Sequence, residues 1–287
     1  METSELIKKV RRIEIKTRGL SQNIFAGEYH TAFKGRGMTF SEVREYQYGD
    51  DVRSIDWNVT ARFNKPFIKV FEEERELTLI LLIDISASRN FGTKVMYKKD
   101  LIAEVAATLA FSSLQNNDKV GVIMFSDKIE KFIPPQKGRK HVLHIIRELL
   151  DFEPQSSKTD IAMALQYFTN VIKKRSTAFL ISDFICDNFE KALMIANRKH
   201  DIAALEISDP REDYMPNVGL VKFKDAETGE RIWIDTSDKQ TREMYNKRQL
   251  LRRNKNYESF TKAGVDHVNM TTDGDYVKAL MKLFKMR

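Results

Sequence analysis

The run ILLIDISASRN, residues 80–90, ends an apolar stretch with one carboxylate and two hydroxyls at alternate positions: Asp84, Ser86 and Ser88. In an extended chain alternate residues share a face, so three oxygen side chains are offered together. Two other places carry the same kind of group. Thr159 stands at the opening of KTDIAMAL, after the polar stretch QSSK, and Asp183 closes STAFLISDF. Two carboxylates and three hydroxyls are hard oxygen donors with little formal charge, a set suited to Mg2+, with Mn2+ as a substitute. Singly, each residue has a plainer reading: Thr159 as a helix N-cap, Ser86 and Ser88 as turn residues, Asp183 as a loop carboxylate. The combination is far more specific than any one member.

Other chemistries fit the residues less well. Ser86 lacks the flanking glycines of a nucleophile elbow and has no obvious histidine base. Aspartyl-phosphate chemistry would want a further acid two residues after Asp84, where serine stands instead, so a metal-dependent phosphohydrolase is the weaker alternative. No GxxxxGK[ST] loop is present. His141, His144 and Glu148 share a helical spacing but not the order of a zinc-binding HExxH, and read as ordinary helix-surface residues. Nucleic-acid binding is the second class to weigh. The formal charge is +7, and Lys8 to Arg18 and Lys239 to Lys255 are basic. Both stretches carry helical apolar spacing, which favours solvated helix faces, and no recognition motif accompanies them.

Composition bounds the rest. Among 287 residues, 42% are hydrophobic and 31% charged, an ordinary globular balance. No run approaches the roughly 18 apolar residues of a membrane span, and the first twenty residues lack the apolar core of a signal peptide. Cys186 is the single cysteine, which excludes an intrachain disulfide and any cysteine-built metal site. The expected compartment is cytoplasmic.

The elements that would position these residues alternate from residue 76 onward. LTLILLIDI, KVGVIMFSD, STAFLISDF and DIAALEIS read as strands buried on both faces, with IEKFIPP as a hairpin partner of the second. Helices are expected at KVMYKKDLIAEVAATLAFSSLQNND, with Leu101, Val105, Ala106 and Leu109 on one face, and at GRKHVLHIIRELLDF. Others are expected at 158–174, 188–199 and 238–263, with a final strand VDHVNMTT and a closing helix. LVKFKDAETGERIWIDT, 220–236, reads as an inserted β-hairpin turning at ETGE. The pattern predicts an α/β domain over 76–287: a doubly wound, mostly parallel sheet in three layers. Residues 1–75 are expected to form a small N-terminal appendage. Within it, Asp50, Asp51, Arg53, Asp56 and Arg62 around Trp57 suggest an ion-paired brace. Ligands of open α/β sheets bind beyond the carboxyl ends of the strands, and there Asp84, Ser86, Ser88, Thr159 and Asp183 would meet.

DISAS, Thr159 in SKTDIA and Asp183 in LISDF resemble the metal-ion-dependent adhesion site of von Willebrand factor A-like domains. The resemblance implies that Ser86, Ser88 and Thr159 offer oxygen ligands, directly or through water. It implies that Asp84 and Asp183 anchor the ion, and that an acidic group of a partner takes one position. GRGMTFSEVREYQYGDDVRSIDWNVTAR followed by VFEEERE resembles the hallmark of domain-of-unknown-function family fifty-eight, bacterial and archaeal proteins with such a domain. The likeness covers about residue 35 to the end. Genes of that family often neighbour those of MoxR-type AAA+ ATPases. The resemblance therefore implies a non-enzymatic, metal-dependent interaction module partnering such an ATPase in assembling proteins or metal centres. Two departures stand out. Arg89 follows Ser88 where many such domains carry methionine, and the membrane-spanning helices that many relatives place before the hallmark are missing here.

Overall fold

The computed structural model describes residues 10–17, 38–73, 77–92, 95–225 and 229–287. They fall in two compact units, one within Lys34–Leu77 and a larger one that joins helix α1 (residues 10–17) to Thr78–Arg287. The expected appendage 1–75 thus supplies residues to both. In the larger unit Lys16 of α1 bonds Glu104 at 2.5 Å and Arg139 bonds Glu14 through Nε at 2.9 Å.

The smaller unit pairs β1 (Met38–Glu45) antiparallel with β2 (Phe67–Glu73), with the short helix α2 (Trp57–Phe63) between them. Two of its carboxylates act as caps, and ion pairs join Lys65 to Glu45 at 3.2 Å and Lys69 to Asp56 at 3.6 Å. Asp51 accepts the Arg53 N–H and Asp56 accepts those of Asn58 and Val59, each closing the start of a helical turn. Asp50 is gripped by both terminal nitrogens of Arg44, at 2.8 and 2.7 Å. Trp57 is no hub of a brace: it is 69% exposed.

The larger unit is built on a six-stranded sheet. In chain order its elements are β3 (Thr78–Asp84), α3 (Lys98–Gln115), β4 (Lys119–Phe125), β5 (Ile129–Gln136), α4 (Arg139–Asp151), α5 (Ile161–Val171) and β6 (Thr177–Ser182). Then come α6 (Glu190–Lys199), β7 (Asp201–Ser208), α7 (Pro210–Asp213), β8 (Leu220–Lys224), β9 (Arg231–Asp235), α8 (Lys239–Ala263), β10 (Asp266–Thr271) and α9 (Tyr276–Met286). The strand order is β10-β7-β6-β3-β4-β5. All neighbours are parallel except β4 and β5, the expected hairpin. Strands β8 and β9 form the inserted two-stranded ribbon; residues 226–228 of its turn lie outside the described residues.

This topology follows from the residues. Leu79 to Ile83 and Ala178 to Ile181 are fully buried, as continuous apolar strands must be when helices cover both faces. Helix α3 is buried well beyond the expected stripe, Ile102, Ala103, Ala107 and Phe111 included, because α4 packs along it as well as the sheet. From β3 the chain first builds outward to β4 and β5, then returns to lay β6 on the other side. The order therefore switches at β3, and the crevice beyond the carboxyl ends of β3 and β6 is where such sheets hold ligands.

Candidate metal centre

Asp84 is the last residue of β3, and the chain turns there into a short 3-10 helix, Ala87–Asn90. That turn is pinned on both sides. Asp84 Oδ1 accepts the Ser86 N–H at 2.9 Å, and Ala87 N–H donates to the Ser157 carbonyl at 3.1 Å. The result sets Ser86 Oγ and Ser88 Oγ 3.1 Å apart, with Ser86 fully buried and Ser88 half-buried.

Thr159 arrives from the loop before α5. The sequence places this helix over 158–174 with Thr159 as a candidate N-cap; instead Asp160 is the N-cap, its side chain accepting the Met163 N–H. Aspartate is among the best caps, so the threonine hydroxyl is spared that task and donates to Asp84 Oδ2 at 3.4 Å. Asp183 follows the last residue of β6. Its Oδ1 accepts the Ile185 N–H at 3.2 Å, in a turn that holds Phe184 at φ 52. So unusual a conformation for a bulky side chain persists because Phe184 is fully buried against Phe260, ring centroids 4.9 Å apart, while its carbonyl accepts from Asn256 at 3.2 Å.

All five residues singled out in the sequence thus meet at one edge. Three more, Ser182, Lys98 and Glu212, were not anticipated. Ser182 donates to Asp84 Oδ2 at 2.7 Å and accepts the Phe184 N–H. Lys98, 1% exposed, places its ammonium 3.0 Å from Asp183 Oδ2, and Glu212 of α7 forms its second ion pair. Arg89 turns to the end of α4, donating to the Phe152 carbonyl at 2.6 Å, a favourable place for a cation.

Electrostatics follow this layout. Burial, then the nearby charge of Asp183, push the Asp84 carboxyl up, against the pull of Ser182 and Ser86. Burial works to raise Asp183 too, but the Lys98 ammonium, the Ser88 hydroxyl and the Ile185 N–H together hold it below the ordinary carboxylate range. Two acids forced together in a buried place favour any cation that can reach both. The donors here are two carboxylates and three hydroxyls, a match for a hard divalent ion. Among the described residues no group of three His, Cys, Asp or Glu is placed to hold a metal ion, so an ion at this edge would lean on hydroxyls. His141 and His144 lie elsewhere: His141 Nε2 is 2.8 Å from the Val120 carbonyl, and His144 is 3.7 Å from Glu148 on the outer face of α4.

A family model described as "Protein of unknown function DUF58" matches residues 42–255. The uncharacterized protein Rv1480 of Mycobacterium tuberculosis is 31% identical over 232 residues, which are 80% of this chain and 73% of that protein. Among solved structures, an aerotolerance-related membrane protein from Bacteroides fragilis superposes with a TM-score of 0.50 at 15% identity, covering 73% of this chain and 97% of that one. The SpRpn10 VWA domain covers 74% of this chain and 95% of its own, with a TM-score of 0.41 and 10% identity. The first of these structural likenesses, at 15% identity, speaks for the fold alone. Among the described residues no helix is long and apolar enough to cross a membrane.

Proposed function

The chain belongs to the DUF58 family and has a von Willebrand factor A-like fold, and we propose that it is a protein-interaction module whose contact point is a divalent cation. Asp84, Ser86, Ser88, Thr159 and Asp183 would hold that ion, Mg2+ or Mn2+. The observation that carries this reading is the 3.1 Å between Ser86 Oγ and Ser88 Oγ. Neighbouring oxygens of an octahedral magnesium shell, each about 2.1 Å from the ion, lie about 3 Å apart. A bound ion would supply a Lewis-acidic position for an aspartate or glutamate of a partner. The chain's own residues do the positioning: Ser182 and Ser86 N–H fix Asp84, while Ile185 N–H and the Phe184 turn fix Asp183.

A non-enzymatic role fits the same surroundings. Ser86 Oγ pairs with Ser88 Oγ. Four histidines are engaged elsewhere: His141 at Val120, His144 at Glu148, His200 at Ser176 and His267 against Phe260. The partner we propose is a MoxR-type AAA+ ATPase, or a client that it delivers, in chaperone-like assembly of proteins or metal centres, taken from the family resemblance.

Calorimetry on metal-stripped protein tests the site. Mn2+ or Mg2+ should bind weakly, with heat that vanishes in Asp84→Ala. Identical uptake by that variant would place the ion elsewhere. Turnover of ATP or simple phosphoesters that disappears in the same variant would overturn the non-enzymatic reading.

A further inference from the structure

Lys98 stands where an ammonium is hard to place. It is the first residue of α3, at the positive end of the helix dipole, and its side chain is 1% exposed. A buried charge survives only when its partners are well placed. Here they are: Asp183 Oδ2 at 3.0 Å and the Glu212 carboxylate. Glu212 is itself held, because its other oxygen accepts the Asp209 N–H at 3.0 Å in a reciprocal capping box. Two carboxylates, Asp183 and Glu212, therefore hold one fixed ammonium, and Asp183 in turn lies close enough to Asp84 for its charge to be felt there.

We propose that Lys98 is a resident cation of this edge. Its ammonium organises Asp183 when no metal is bound and offsets part of the negative charge that attracts one. It thereby sets a low affinity for the bare ion, so that occupancy waits for the partner's carboxylate. Glu212 tunes the effect by drawing the ammonium away from Asp183. This inference rests on the reading of the edge as a divalent-cation site.

The test is Mn2+ calorimetry on the metal-stripped full chain, with thermal unfolding in chelator and in Mn2+. Removing one positive charge a few ångströms from the ion should tighten Mn2+ binding about tenfold or more in Lys98→Met. The same variant should unfold earlier than wild type in chelator and recover in Mn2+. Glu212→Gln, which leaves the ammonium wholly to Asp183, should bind several-fold more weakly. The opposed signs matter, since general damage to the site could weaken binding in both variants but not tighten it in one. If Lys98→Met fails to fold, Glu212→Gln decides alone: affinity equal to wild type overturns the proposal. Wild type binding that Asp84→Ala abolishes, with both other variants unchanged, removes the role of Lys98 and leaves the cation site standing. Uptake in neither wild type nor Lys98→Met sinks both, whereas uptake by Lys98→Met alone supports the resident cation in its strongest form.

Discussion

Asp84 divides its two oxygens between neighbours of different kinds. Oδ1 takes the Ser86 N–H and shapes the turn after β3, while Oδ2 receives the Ser182 hydroxyl at 2.7 Å and the more distant Thr159 hydroxyl. Ser182 is the tighter of the two and is 1% exposed, so no water replaces it readily. Ser182→Ala should destabilise the fold by about 1 to 3 kcal/mol, the range for a hydrogen bond to a buried charged group. Denaturant titration reads this directly, and an unchanged midpoint would mean that Asp84 finds another donor at no loss. Lys98 belongs to the same scale. Neither it nor Ser182 was singled out from the sequence. KK at the head of a long helix reads as its solvated start, and one more serine in LISDF reads as strand. Their importance comes from what faces them across the sheet edge, which no local pattern carries.

At the scale of elements, α5 separates two jobs that adjacent residues could have shared. Asp160 caps the helix through the Met163 N–H, and Thr159 faces Asp84. Asp160→Ala should therefore lower stability by about 0.5 to 2 kcal/mol. Thr159→Ala should shift it by less than about 0.5 kcal/mol while weakening Mn2+ uptake. Equal stability losses in urea titrations of the two variants would mean that Thr159 is a capping residue after all. The strands were legible because a continuous apolar run admits few other readings beside Gly, Pro and Asp breaks. From strands alone, the convergence of Asp84, Ser86, Ser88 and Asp183 at one edge followed, since parallel strands deliver their ends to the same side, whereas Thr159 comes in on the loop before α5. Helix α7 was not legible: its four residues, Pro210–Asp213, are too few for a period, and it carries Glu212. The extent of burial of α3 was also hidden, because a stripe of apolar residues does not announce a second helix packed along it.

At the scale of the whole molecule, the question is what a formal charge of +7 is for. Helix α8 holds much of the basic surface, yet many of its cations are spent within the fold. Arg253 pairs with Asp213 at 2.6 Å and Lys255 with Asp187 at 2.6 Å. Arg242 donates to the Thr236 and Ser237 carbonyls at 2.6 and 2.8 Å. Lys239 and Lys262 lie 3.6 Å from Glu243 and Glu258 on the helix itself. Such a surface offers few cations for phosphates. Binding to a random duplex should then be feeble, its logarithm falling with the logarithm of salt at a slope no steeper than about −3, as for some three phosphate contacts. A contact made through a cation and a partner's carboxylate behaves otherwise. Being short and partly buried, it is screened little by salt, and metal and partner reinforce each other because each supplies what the other lacks. Capture of the ATPase or client should therefore survive 0.3 M salt, on the order of twice the physiological level, and fail in chelator. Ser88→Ala, at a half-buried hydroxyl, should fail in either condition, with the fold intact by circular dichroism. Capture that ignores chelator but collapses with salt, together with a steep duplex slope, would reverse the assignment and make the basic surface, not the edge of the sheet, the working face.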